Sequence, residues 1–161
     1  MTPHDLDHIR WLPLTSADAD RVAQLAGAAL APFPWVLACW LHGSLVRGDR
    51  PPRDLDFGVL TGRQFVPWAQ WEQARCAIGA ALGMSPDVVD LRPVDDGSPV
   101  FLGNLLAHGR LCCEANRAAR VDFEVRATSL WCDFRPVWEQ QRAAALASWA
   151  NGSDRPRGVT L

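Results

Sequence analysis

The stretch LACWLHGSLVRGDRPPRDLDFGVL, residues 37–60, decides the fold prediction. It contains an apolar strand, a Gly43-Ser44 turn, a polar loop with two prolines, and a second apolar strand that opens with Asp54. Because successive side chains of a strand point to opposite faces, Asp54 and Asp56 share one face of the second strand. Two neighbouring carboxylates repel each other, and a divalent cation would neutralise them. The stretch therefore predicts an acidic metal site at the start of the second strand.

The turn before this acidic pair has the features of an anion site. Gly43 lets the backbone approach a ligand closely, and Ser44 offers a hydroxyl and an amide at the start of a predicted short helix. Arg47 can either reach a phosphate or pair with an acid and fix the loop, and the sequence leaves both open. A phosphate-binding turn beside two carboxylates is what metal-dependent phosphoryl chemistry requires.

This order of features resembles the DNA-polymerase-beta-like nucleotidyltransferases, and the run from Gly43 to Gly48 resembles the minimal nucleotidyltransferases (MNT) in particular. The resemblance implies an α/β (α+β) fold with a mixed β-sheet flanked by helices, ATP as substrate and two Mg²⁺ ions. Nine residues separate Ser44 from Asp54, one fewer than is usual in that family. Arg53 stands where the family has a small residue.

The resemblance also gives roles to particular side chains. The predicted catalytic and metal-binding residues are Asp54, Asp56 and Asp90, and the predicted nucleotide-binding residues are Gly43, Ser44 and Arg47. Asp90 lies on a later predicted strand, where it would orient the attacking hydroxyl; the alternative is a surface acid on an edge strand. Arg92 lies on the same face of this predicted strand as Asp90. Arg92 could neutralise phosphate charge, although a structural ion pair is the simpler interpretation.

The family resemblance implies a partner protein. Such proteins are often antitoxins that silence a HEPN-domain RNase toxin by transferring AMP to one of its tyrosines. Two alternatives remain open. One is a non-catalytic antitoxin that acts by binding alone, which the shortened loop and Arg53 motivate. The other is nucleotidyl transfer to a small molecule such as an aminoglycoside, for which little chain is left to form an acceptor domain.

Composition limits the other functions. The net charge of −2 gives no general attraction for nucleic acid, so no direct nucleic-acid partner is expected. All sixteen basic residues are Arg, which excludes a Walker lysine, and the absence of Tyr excludes modification of the chain's own tyrosine. The five cysteines have no CxxC spacing, and buried free thiols are expected. With no signal peptide or membrane-spanning run in the sequence, we expect a cytoplasmic protein without a membrane partner.

The 161 residues suit a single nucleotidyltransferase domain with its core at about residues 16–147 and a flexible tail at 151–161. Apolar periodicity predicts helices at 16–31, 64–82, 99–108 and 117–149, and strands at 35–42, 54–60, 87–94 and 110–114. An interruption of the last helix is expected near Pro136. Trp131 and Trp138, together with the neighbouring Leu130, Phe134 and Val137, are interpreted as core rather than as a partner-binding groove.

Overall fold

The computed structural model describes residues 11–150, which build a four-stranded mixed sheet with helices on both faces. The helices are α1 Ala19–Leu30, α2 Ser44–Arg47, α3 Trp68–Leu82, α4 Pro99–His108 and α5 Arg117–Ala150. The strands are β1 Ala38–His42, β2 Leu55–Leu60, β3 Val89–Pro93 and β4 Arg110–Glu114. The strand order is β3-β2-β1-β4, with β1 antiparallel to β2 and β4 and with β2 parallel to β3. The predicted mixed sheet is confirmed. The predicted tail, residues 151–161, lies outside the described residues.

The central strand β1 separates two hydrophobic clusters. Cys39 and Leu41 face the cluster formed with α1 and α3, whereas Ala38 and Trp40 face the cluster formed with α4 and α5. A strand covered on both faces has a nearly continuous apolar sequence, which is what β1 has at residues 38–41. This central position holds the turn after β1 against the beginning of β2.

Several element boundaries differ from the predictions for local reasons. Strand β1 begins at Ala38 rather than at residue 35, because Phe33 and Val36 close a turn in which the Val36 N–H donates to the Phe33 carbonyl at 3.0 Å. Helix α3 begins at Trp68, and Pro67 precedes it in an extended conformation with ψ 143°. A 3-10 turn at Pro86–Val88 takes the first part of the strand predicted at 87–94.

Helix α5 departs most from the sequence prediction. It continues through Pro136, so the predicted interruption is wrong: this exposed proline lacks one backbone donor, and the helix tolerates the loss. Leu130 and Val137 are about half exposed, at 51% and 47%, so their assignment to the core is also wrong. The physical reason is the face on which they lie: Trp131 packs against Gly103 of α4, whereas Leu130 and Val137 lie about 100° or more around the helix from Trp131.

None of the helices described between residues 11 and 150 combines the length and the apolar character that crossing a lipid bilayer requires. All five cysteines are free thiols. Only Cys39 is fully buried, and Cys76 and Cys132 are exposed, so the expectation of buried thiols holds for one position and fails for those two.

Candidate active site

The turn between β1 and α2 lies directly against the acid of β2. Gly43 has φ +81°, a left-handed conformation that favours glycine. A Cβ atom added at this position would lie 1.9 Å from Asp56 Oδ2, so the close approach expected of Gly43 is made to a carboxylate. Ser44 begins α2 and is buried. Gly43, Ser44 and Asp56 line one cavity of about 250 Å³.

The sheet register brings the predicted acids to one end of the sheet. Asp56 is the partner of His42 on β1 and of Asp90 on β3. Asp54 lies one residue before β2 and is exposed. Burial raises the pKa of the Asp56 carboxyl, and the negative charges of Asp54 and Asp90 raise it further. Asp54 and Asp90 are therefore close enough to Asp56 for their charges to act on its carboxyl group.

Arg92 offsets part of this charge. Its guanidinium donates a hydrogen bond to Asp90 Oδ2, and its Nη2 atom lies 4.0 Å from Asp56 Oδ1. The bond to Asp90 is the main reason why the pKa of Arg92 is raised above its usual value. Of the two interpretations that the sequence left for Arg92, the structure shows the ion pair.

Arg47 lines the same cavity as Asp56, but its guanidinium is engaged outside it. The Arg47 Nε atom donates to Asp49 Oδ2 at 3.1 Å, between two exposed side chains. The structure therefore shows the loop-fixing pair, and binding of a phosphate by Arg47 stays a prediction.

His42 faces Asp56 across β1 and β2 and is partly buried. Burial lowers its pKa to about 4, and the positive charge of Arg92 acts in the same direction. Its Nε2 atom is buried without a hydrogen-bond partner, and its ring meets Phe101 edge-on with the centroids 5.3 Å apart. The neutral imidazole therefore packs against Phe101 of α4 at this end of the sheet.

The opposite wall of the cavity could not be predicted from the sequence. That wall comes from α4 and consists of Phe101, Asn104, Leu105 and His108. No local signal marks these residues, because their spacing is that of any short helix packed on a sheet. A second cavity of about 550 Å³ adjoins the first and shares Arg92 and Phe101 with it.

The carboxylate oxygens are chemically suited to a hard divalent cation, but they do not form a complete set of metal ligands. Oxygen ligands next to one another are what Mg²⁺ prefers, and Asp54 and Asp56 supply them. Within residues 11–150, however, no group of three or more His, Cys, Asp or Glu side chains is arranged to hold a metal ion. Arg92 holds Asp90, so the pair that fits is Asp54 with Asp56, and the three-acid site stays a prediction.

Comparison with solved structures identifies the fold. A chain in a crystal structure of a toxin–antitoxin complex with AMP-PNP superimposes with a TM-score of 0.57 and 19% identity, over 77% of this chain and 98% of that one. A structure of the MntA–HepT toxin–antitoxin complex gives a TM-score of 0.54 and 17% identity, with 79% and 98% covered. The chain has the fold of an MNT antitoxin.

A third structure with this fold contains a tri-AMPylated HEPN toxin from Shewanella oneidensis in complex with an MNT antitoxin. Its TM-score is 0.55 and its identity is 19%, over 77% of this chain and 98% of that one. The sequence matches no protein-family model, and no curated protein is significantly similar to it. At this level of identity the comparison shows a shared fold, and the predicted mixed sheet flanked by helices is confirmed.

Proposed function

We propose that this chain is a magnesium-dependent nucleotidyltransferase and the antitoxin of a HEPN/MNT pair, which transfers AMP from ATP to a tyrosine of a HEPN-domain toxin in the cytoplasm. The observation that supports the proposal best is the packing of the Gly43 backbone against Asp56, beside Asp54 and Asp90. Two structures with the same fold support the chemistry: one contains AMP-PNP, and the other contains an AMPylated toxin.

Each side chain at this end of the sheet would have a separate task. The Gly43-Ser44 turn would bind the terminal phosphates of ATP, because its backbone can approach them closely. Asp54 and Asp56 would hold Mg²⁺, which when bound offsets the negative charge of the phosphates. Asp90 would orient the incoming tyrosine hydroxyl and accept its proton. The phenolic oxygen then bonds to the α-phosphorus while the bond to pyrophosphate breaks.

The acceptor must come from another molecule, because the chain contains no tyrosine. The test therefore uses the chain together with the HEPN-domain protein encoded next to it, with ATP and Mg²⁺. Intact-mass spectrometry should show the mass of one or more AMP groups added to the partner. The Asp54→Ala, Asp56→Ala double variant should lose this gain.

A matched control separates the site from a general loss of acidic charge. Asp122→Ala combined with Asp133→Ala also removes two exposed acids, but both lie on α5 and neither lines the cavities at the proposed site. This variant should modify the partner normally. Modification by the Asp54→Ala, Asp56→Ala variant at the rate of the parent would contradict the catalytic assignment.

The second candidate, a non-catalytic antitoxin, is favoured by the engagement of Asp90 with Arg92. Such a protein would bind the toxin without using nucleotide. Isothermal titration separates the two candidates: the enzyme should give a saturable heat with ATP and Mg²⁺, and a pure binding protein should give heat only with the partner.

A further inference from the structure

Arg92 lies across the acids of two neighbouring strands. The parallel register pairs Asp56 with Asp90 and Gly58 with Arg92, so that Arg92 lies two residues beyond Asp90 on the same face of β3. Its guanidinium hydrogen-bonds Asp90 and lies 4.0 Å from Asp56 Oδ1. One monovalent side-chain cation is thus placed between two carboxylates.

This position conflicts with metal ligation by Asp90. A guanidinium hydrogen bond and a metal–oxygen bond both use the lone pairs of the carboxylate oxygens. A divalent cation close to Asp90 would also meet the positive charge of Arg92 at short range. As long as the ion pair is intact, Asp90 is therefore a poor ligand, which agrees with the absence of a three-acid metal group between residues 11 and 150.

Arg92 has room to move away. Its side chain is 50% exposed, so its movement does not require the core to open. It also lines the larger adjoining cavity of about 550 Å³, where the exposed acid Asp96 offers another partner. The guanidinium now lies on the acids, and the larger cavity provides open space into which it can move.

We propose that Arg92 is the resident counter-ion of Asp56 and Asp90, and that Asp90 binds a divalent cation only after the guanidinium has moved away. Arg92 is then a positioning residue that sets how many carboxylates the metal can use. The inference rests on the proposed function, since it concerns the same acids. It adds that a side chain of the protein itself holds these carboxylates until a cation replaces it.

The test measures Mn²⁺ binding to the full chain without nucleotide, using the electron paramagnetic resonance signal of free Mn²⁺. Arg92→Gln should bind Mn²⁺ roughly tenfold more tightly than the parent, because it releases a carboxylate and removes a nearby positive charge. Adding Asp90→Asn to Arg92→Gln should remove most of that gain, since the released ligand is then missing and only the smaller effect of the removed charge remains.

Arg63→Gln is the matched charge control. Arg63 also lines the larger cavity, but it pairs with Asp96 and touches neither Asp56 nor Asp90 in the described contacts. It should leave Mn²⁺ affinity within about twofold of the parent. Circular dichroism checks that every variant is folded.

Three results would overturn the inference: no gain in Arg92→Gln, a full gain retained after Asp90→Asn is added, or an equal gain in Arg63→Gln. These results are separate from the AMP-transfer assay. If Arg92→Gln leaves the Mn²⁺ affinity unaltered while the parent transfers AMP normally, the role of Arg92 is rejected and the proposed function is not. If the Mn²⁺ results are as expected but the parent transfers no AMP, the proposed function is rejected and the role of Arg92 is not.

Discussion

A Cβ atom on residue 43 would lie 1.9 Å from Asp56 Oδ2, so the turn after β1 and the acid of β2 fit together only because residue 43 is glycine. Gly43 also has φ +81°, which L-residues with side chains rarely adopt. Two separate costs therefore oppose any side chain at this position. One is backbone strain and the other is a clash with the carboxylate.

The first prediction separates these costs by using a second glycine. Gly43→Ala should lower the free energy of unfolding by about 2 to 4 kcal/mol, because strain and overpacking add. Gly83 has φ +65° but nothing within 4 Å of its added Cβ, so Gly83→Ala should lose only about 1 to 2 kcal/mol. Urea unfolding measures both. Equal losses would show that the contact with Asp56 is unimportant.

Replacement of Asp56 should stabilise the metal-free protein. Burial raises the pKa of this carboxyl in the folded state, and Asp54 and Asp90 add to the effect. The stability that Asp56 contributes is therefore fully present below its unfolded pKa of 3.8 and is lost as the pH rises through the folded pKa. Asn stays neutral, so Asp56→Asn should melt at a higher temperature than the parent at pH 7 in EDTA.

The same variant carries its own control. Below pH 3.8 the carboxyl is protonated in both the folded and the unfolded state, so the difference between variant and parent should disappear there. AMP transfer, in contrast, should be lost at every pH. A variant that is less stable than the parent at pH 7 would contradict the sign of this argument.

The sequence predicted those parts of the fold that depend on short-range pattern. Helix α4 matches its predicted bounds because the Ser98 side chain caps its start and Gly109 follows its end. The strand at Arg110–Glu114 also matches. Helix α5 was less predictable, because packing between helices sets the face that it turns toward α4, where Trp131 lies against Gly103, and leaves Leu130 and Val137 exposed.

The same division applies to the candidate site. The two-residue period of a strand placed Asp54 and Asp56 on one face, and the register then brings Asp90 beside Asp56. The sequence left Arg92 open between phosphate and carboxylate, because that choice depends on side-chain conformation. The wall from α4 could not be predicted, since it is formed by long-range packing of Phe101 and Asn104 onto the sheet.

The lowered pKa of His42 predicts how the stability of the protein changes with pH. Its pKa falls from 6.5 in the unfolded chain to about 4 in the folded protein, mainly because of burial. The stability that the neutral imidazole contributes is therefore present above pH 6.5 and is lost as the pH falls through about 4. One pKa unit is about 1.4 kcal/mol, so the loss should be on the order of 3 kcal/mol.

Urea unfolding at pH 7 and pH 4 of the parent and of His42→Gln measures this loss. Gln remains neutral, so the variant should lose less stability between these two pH values than the parent does. Asp56 acts with the opposite sign at low pH, but it is present in both proteins and cancels in the comparison. The same pH dependence in both proteins would exclude His42 as the cause.

Asp95 closes the turn that follows β2. Its carboxylate accepts hydrogen bonds from the Thr61 N–H at 2.9 Å, the Thr61 hydroxyl at 3.0 Å and the Arg63 N–H at 2.8 Å. Thr61 is buried, and Arg63 has φ 61°, an unusual conformation for a residue other than glycine. The acid therefore satisfies a buried backbone donor and holds a strained residue in place.

Asp95→Ala should lower the free energy of unfolding by about 2 to 4 kcal/mol, since it leaves the Thr61 N–H without an acceptor and releases Arg63. Its neighbour provides the matched control: Asp96 pairs with Arg63 at 3.0 Å, but both side chains are exposed. Asp96→Ala should therefore cost less than about 1 kcal/mol. Chemical unfolding of the two variants measures the difference. If both variants lost the same stability, the loss would come from charge, because hydrogen bonding to the turn distinguishes Asp95 from Asp96.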